Sequence, residues 1–200
     1  MKKLSELMGY RSSVRVIDAT LRDGGLVNDF YFTDEFVTAL YKTNIKAVVD
    51  YMEFGYKASR EMFDENKFGK WKFCRDDDIR AIVGENDTDL KIAVMADVGR
   101  CDYKQDIISR CDSPIDLIRV ATYLHTIPAA VDMIENAKNK GYEVSCNIMA
   151  ISNAQESDLR IALDTLGQTP VDVFYIVDSF GSLYPEQIAR IADAYMEFAD

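Results

Sequence analysis

Apolar, β-branched runs recur along the chain at Val14–Ile17, Ala47–Phe54, Lys91–Val98, Ile115–Tyr123, Glu143–Ile151 and Val171–Val177. Each is short and nearly continuous in its apolar character, the pattern of a parallel strand covered on both faces. Helical stretches lie between them. Thr33–Tyr41 opens on a Thr/Asp cap, Pro128–Asn139 carries Pro in its first turn and Gly141 just past its end, Glu156–Leu166 is followed by Gly167 and Pro170, and Pro185–Phe198 again opens on Pro. Strand followed by helix, about six times, predicts right-handed βαβ crossovers and a parallel sheet. A doubly wound sheet would carry a glycine-rich phosphate loop after its first strand, and neither GxGxxG nor GxxxxGK[ST] occurs. A (β/α)8 TIM barrel needs eight units and about 250 residues. The expectation over residues 1–200 is therefore one partial TIM barrel of about six βα units, with the chain stopping at Asp200 inside its last helix.

Composition narrows the function. The 200 residues are 48% hydrophobic and 28% charged, ordinary for a globular chain with a sizeable core. The net charge of −11 argues against binding duplex nucleic acid or an anionic membrane, both of which need a positive footprint. A small anionic substrate is still compatible, because local arginines can overrule the global field. No run reaches the roughly 18 apolar residues of a membrane span, and Met1–Tyr10 lacks the apolar core of a signal peptide. Cys74, Cys101, Cys111 and Cys146 are scattered without a CxxC pair and read as reduced thiols of a cytoplasmic protein. With one histidine, His125, the 200 residues cannot supply a two-histidine metal site.

Chemistry in a βα barrel gathers where strands end. The residues at those positions are Asp18 to Gly25 (DATLRDGG), Glu53-Phe54-Gly55, Asp97 to Arg100, Arg119 to Tyr123, Asn147 with Ser152 and Asn153, and Asp178-Ser179-Phe180-Gly181. Arg22 beside Asp23 is the most informative pair. A carboxylate suits a hard cation such as Mg2+ or Mn2+, and a guanidinium fork suits a carboxylate or a developing enolate. Gly24 and Gly25 are expected to let the backbone turn tightly there. Arg119, inside an apolar strand, needs a buried partner, with Asp23, Glu53 and Asp178 as candidates. The long segment Tyr56–Asp78 is expected to pack on the rim, with a lid as the functional alternative, and Asp76-Asp77-Asp78 to cap a helix.

The run Asp18–Asn28 (DATLRDGGLVN), with Glu53-Phe54-Gly55, Arg119-Val120-Ala121 and Asp178-Ser179-Phe180-Gly181, resembles the DRE-TIM metallolyase superfamily, nearest to its 4-hydroxy-2-oxovalerate aldolase branch. The resemblance implies a divalent-metal lyase that cleaves a 4-hydroxy-2-oxo acid to a pyruvate enolate and an aldehyde. It assigns Asp23 to the metal, Mn2+ or Mg2+, Arg22 to the enolate oxygen, Glu53 to support behind the metal site, and Asp178 with Ser179 to the substrate carboxylate. Two further histidine ligands of the family are expected beyond residue 200, so the 200 residues alone are expected to bind metal weakly and be inactive. The family's histidine base is replaced by Leu26, which leaves Tyr123, His125 or a group further downstream as stand-ins. Two alternatives stay open: a Claisen-type condensation with an acyl-CoA, and a non-catalytic barrel attached to a partner domain. The expected partner is a small 2-oxo acid, and self-association through unpaired edge strands is expected of a partial barrel.

Overall fold

The computed structural model describes residues 13–198; Met1–Tyr10 and the chain end at Asp200, both read above, lie outside the described residues. Six strands, β1 (Ile17–Asp18), β2 (Tyr51–Tyr56), β3 (Lys91–Asp97), β4 (Leu117–Thr122), β5 (Glu143–Ile148) and β6 (Val173–Tyr175), form one sheet in strict sequential order. Every neighbouring pair is parallel. A doubly wound sheet reverses its strand order at a switch point; this one never does, so the sheet is the open arc of a TIM barrel. It is curled, because the Tyr51 hydroxyl of β2 donates to Glu143 Oε1 of β5 at 2.8 Å, three strands away. In a flat sheet that separation would be about 14 Å.

The helices are α1 (Thr20–Asn28), α2 (Asp34–Lys46), α3 (Asp76–Val83), the short α4 (Tyr103–Asp106), α5 (Ile127–Asn139), α6 (Glu156–Gly167) and α7 (Pro185–Met196). Their starts follow the predicted signals: Thr33 accepts the Phe36 amide as the cap of α2, and Pro stands in the first turn of α5 and α7. One continuous apolar core fills the space between the sheet and the helices. Strands β2 and β4 are buried throughout, and β3 and β5 are buried except at half-buried Lys91, Asp97 and Glu143, as their largely apolar character required.

Three expectations are corrected. β1 is shorter than Val14–Ile17 and sits at an edge, paired only with β2; Val14 and Val16 are exposed. The run Ala47–Asp50 is a turn after α2, with Val48 at φ 57°, and β2 instead continues to Tyr56. Most consequentially, TLRDGGLVN is a helix and not a turn. Neither Gly24 nor Gly25 has positive φ. Gly25 is needed because a Cβ there would overlap the ring of Phe30, a buried residue that follows the left-handed cap Asp29 and is itself at φ 65°. Gly69 admits the Phe30 carbonyl from the other side in the same way. Gly25→Ala is expected to lower the unfolding free energy by about 1–3 kcal/mol, read as a lower urea midpoint at unchanged slope.

The β2–α3 connection is packed against the rim, with Trp71, Phe73 and Cys74 buried. Asp76 does open α3, but its carboxylate is not simply solvated: it pairs with the buried Lys57 ammonium and accepts from the Ser113 hydroxyl. All four cysteines are free, with Cys74 and Cys146 buried. Burial pushes the Cys146 thiol up to about 12, so it behaves as a small apolar side chain. Among the described residues, no helix is long and apolar enough to cross a membrane.

Candidate active site

The register stacks inward-facing side chains in layers. Met95, Arg119, Ser145 and Val173 occupy one; Asp97, Ala121, Asn147 and Tyr175 occupy the next toward the C-terminal ends. An irregularity in β2 between Glu53 and Tyr56 sets Tyr56 opposite Met95, so Tyr56 joins this wall. Gly55 lies at that irregularity against the Trp71 carbonyl, where no Cβ fits.

A buried carboxylate between two guanidinium groups sits at the centre. Glu53 is 0% exposed. Its Oε2 accepts from Arg119 Nη1 at 2.6 Å and from Arg22 Nε at 3.0 Å. Arg22, from the first turns of α1, also holds Asp23 Oδ1 at 2.7 Å through Nη1. The Arg119 guanidinium lies over the Tyr175 ring, 4.5 Å from its centre. Glu53 thus answers the question of Arg119's buried partner.

Polar capacity is left over around this pair. Glu53 Oε1, Arg119 Nε, Asp97 Oδ1, Ser145 Oγ and Asn147 Oδ1 are buried and without a hydrogen-bond partner among the described residues. Buried polar atoms are normally satisfied, so five spare ones set this cluster apart from an ordinary packing layer. Burial pushes the Asp97 carboxyl above its ordinary range, with Arg100, Lys72 and Arg22 opposing the shift and Glu53 adding to it. Burial likewise raises the Tyr56 phenol, against the pull of Arg22.

No family model matches the chain. It is 26% identical over 196 residues to 4-hydroxy-2-oxovalerate aldolase 1 of Rhodococcus erythropolis, covering 97% of this chain and 56% of that protein. It is 22% identical over 195 residues to an oxaloacetate decarboxylase of Mycobacterium tuberculosis, covering 92% and 54%. A 4-hydroxy-2-oxovalerate aldolase of Bacillus cereus matches at 25% over 179 residues, 88% of this chain and 50% of that one. These matches support the resemblance to the DRE-TIM metallolyases carried by the sequence motifs. It spans about half the length of the curated relatives it matches. The N-terminal domain of a candidate aldolase from Bacteroides vulgatus has the same fold, with a TM-score of 0.75 at 24% identity over 92% of this chain and 60% of that one.

The expected site residues divide into two groups. Arg22, Asp23 and Glu53 are linked as described. Tyr123 is not with them: it is 44% exposed and stacks on the His125 ring beyond the end of β4, while its amide bonds the Thr126 hydroxyl. The strand closes at Thr122, so Tyr123 enters the following turn instead of the interior layer. Asp178 braces its own loop, accepting the amides of Ser182 and Leu183 at 3.1 and 2.9 Å. Those backbone donors, Leu183 first, hold its carboxyl below the usual range. Ser179 Oγ accepts the Ala150 amide at 2.9 Å and ties the loop after β6 to the one after β5.

Asp23 is a hard donor whose side chain is 61% exposed, and Leu26 follows it one helical turn on. Among the described residues, however, no group of three or more His, Cys, Asp or Glu side chains could hold a metal ion. They do not by themselves make a metal centre. The residue overlooked in the sequence is Asp97, named only as a strand end.

Proposed function

We propose that this barrel is a carbon–carbon lyase of the aldolase type, acting on a 4-hydroxy-2-oxo acid and releasing the enolate of pyruvate. Its relatives named as aldolases and as a decarboxylase support the reading, since both names describe cleavage of a bond to carbon in a small oxo acid. The observation that carries it is Arg22, whose guanidinium is anchored through Nε to buried Glu53 and projects Nη1 to Asp23 at the mouth. Cleavage leaves negative charge on the former keto oxygen, and a positive group already held in place stabilises that charge without reorganising. Glu53 and Arg119 keep the guanidinium fixed from behind. Asp97 has a spare oxygen and a carboxyl raised by burial, so it is a candidate to exchange a proton with the hydroxyl that becomes a carbonyl. A divalent ion, Mn2+ or Mg2+, with Asp23 as one ligand, belongs to this reading as a Lewis acid.

The test is pyruvate release from 4-hydroxy-2-oxo acids by the full-length protein with Mn2+ or Mg2+ present. Asp23→Asn is expected to abolish turnover while leaving the melting temperature unchanged, because the side chain is largely solvated. Pyruvate release that survives this substitution, or its absence from the wild type across the substrate series, removes the proposal.

A further inference from the structure

Arg119 is held from both flanks of the arc. It stands on β4, with Glu53 on β2 two strands to one side and Tyr175 on β6 two strands to the other. Its Nη1 donates to Glu53 Oε2 at 2.6 Å, and its guanidinium carbon lies 4.5 Å from the centre of the Tyr175 ring. The register places Tyr175 on the same face: Arg119 pairs with Ser145, Ser145 with Val173, and Tyr175 follows Val173 by two residues. Arg119 Nε is buried and without a hydrogen-bond partner among the described residues. A guanidinium anchored through one nitrogen can still swing about that bond. The ring face is the second contact that stops it.

Glu53 has the matching weakness. Its Oε1 is buried without a partner among the described residues, and Oε2 alone accepts from both Arg119 and Arg22. The seat of Arg119 therefore decides where Oε2 points, and Oε2 anchors Arg22 Nε at 3.0 Å. An aromatic face attracts a guanidinium, and arginine favours such faces. An aliphatic side chain at Tyr175 would fill space there without that pull.

We propose that Tyr175 is a positioning residue for Arg22: its ring holds Arg119, Arg119 orients Glu53, and Glu53 sets the Arg22 fork before substrate arrives. The inference rests on the preceding reading of Arg22 as the group that meets the developing enolate. Tyr175 acts through two intermediaries and needs no contact with substrate. A cation fixed in advance stabilises growing negative charge without reorganising, and a loosened one does so less well. The loss therefore falls on the transition state, and on kcat more than KM. The proposal gives β6, only three residues long and half-buried at Tyr175, a part in chemistry that starts from α1.

The experiment is steady-state kinetics of pyruvate release by the full-length protein and its variants, with exchange of the Arg22 Nε–H followed by NMR in the same proteins. Tyr175→Leu is expected to lower kcat about 3- to 30-fold, the range that losing one cation–ring contact gives, with KM nearly unchanged. Tyr175→Phe keeps the ring face and is expected to restore the wild-type kcat. In an Arg22→Lys background Tyr175→Leu should lower kcat no further, because the residue it acts through is gone. The Arg22 Nε–H should exchange faster in Tyr175→Leu than in the wild type. A merely structural tyrosine would lower the melting temperature and produce neither the kcat–KM split nor the non-additivity. Arg119→Lys, which leaves Tyr175 in place, should show the same split and reads the same link if Tyr175→Leu does not fold. An unchanged kcat in Tyr175→Leu or Arg119→Lys, a Tyr175→Phe variant as slow as Tyr175→Leu, or a full further loss in the double variant overturns the positioning role and leaves the reading of Arg22 standing. If the wild type releases no pyruvate, that reading falls, and Arg22 Nε–H exchange decides the link alone: faster exchange in Tyr175→Leu upholds it, and unchanged exchange overturns it.

Discussion

Glu53→Gln is expected to lower the unfolding free energy by about 3–5 kcal/mol, the cost of stranding a buried charge. The substitution keeps the volume of the side chain and removes only its charge. Arg22 loses one of two partners and retains Asp23 at 2.7 Å. Arg119 has no such reserve: its side chain is 5% exposed, its one ion-pair partner among the described residues is Glu53, and what remains is the face of Tyr175 at 4.5 Å. A cation over a ring is worth about 0.5–2 kcal/mol, well short of replacing a buried carboxylate. Against a typical total stability of about 5–15 kcal/mol, the single substitution consumes a large share. The double variant Glu53→Gln/Arg119→Met removes the stranded charge with its partner and is expected to be the milder change. Urea denaturation of both variants checks this. A single variant within about 1 kcal/mol of the wild type, or a double variant worse than the single, would show that the guanidinium finds water or another acceptor when Glu53 is neutralised.

The barrel arc was legible because its strands are buried on both faces, so Lys91–Val98 and Glu143–Ile151 carry an apolar signal that needs no knowledge of neighbours. The edges were less legible: β1 pairs on one side only, and flanking valines that look like strand residues stay in solvent. The helix at Thr20–Asn28 was hidden by two adjacent glycines, which disfavour helix by local propensity. What overrides propensity there is the fit of Phe30 against Gly25, a contact visible only once the chain has turned back. Arg119 could be read as needing a buried partner, since a charge inside an apolar run demands one, but only the curl of the sheet chooses Glu53 over Asp23 or Asp178. Tyr123 was misplaced by a single residue of phase, because β4 ends at Thr122. Lys72 carried no signal at all: its burial is made by rings spread from Phe30 to Phe68, and a lysine in a long polar-looking connection reads as solvated.

Arg22→Lys in the full-length protein is expected to reduce kcat for pyruvate release by about 100- to 1000-fold, the usual loss when one preorganised oxyanion stabiliser is removed. Lysine keeps the charge and can still reach Glu53, so the fold should hold and the melting temperature should move little. It cannot keep the fork: the arginine uses Nε on Glu53 at 3.0 Å and Nη1 on Asp23 at 2.7 Å at once, and this double anchorage fixes where its remaining N–H groups point. A single ammonium satisfied by Glu53 is drawn toward the interior, away from the mouth. Because the negative charge on the keto oxygen grows only as the carbon–carbon bond breaks, the lost interaction belongs to the transition state, and kcat should fall far more than KM rises. The opposite split, with KM rising and kcat preserved, would make Arg22 an anchor for the bound acid and leave the developing enolate to another group.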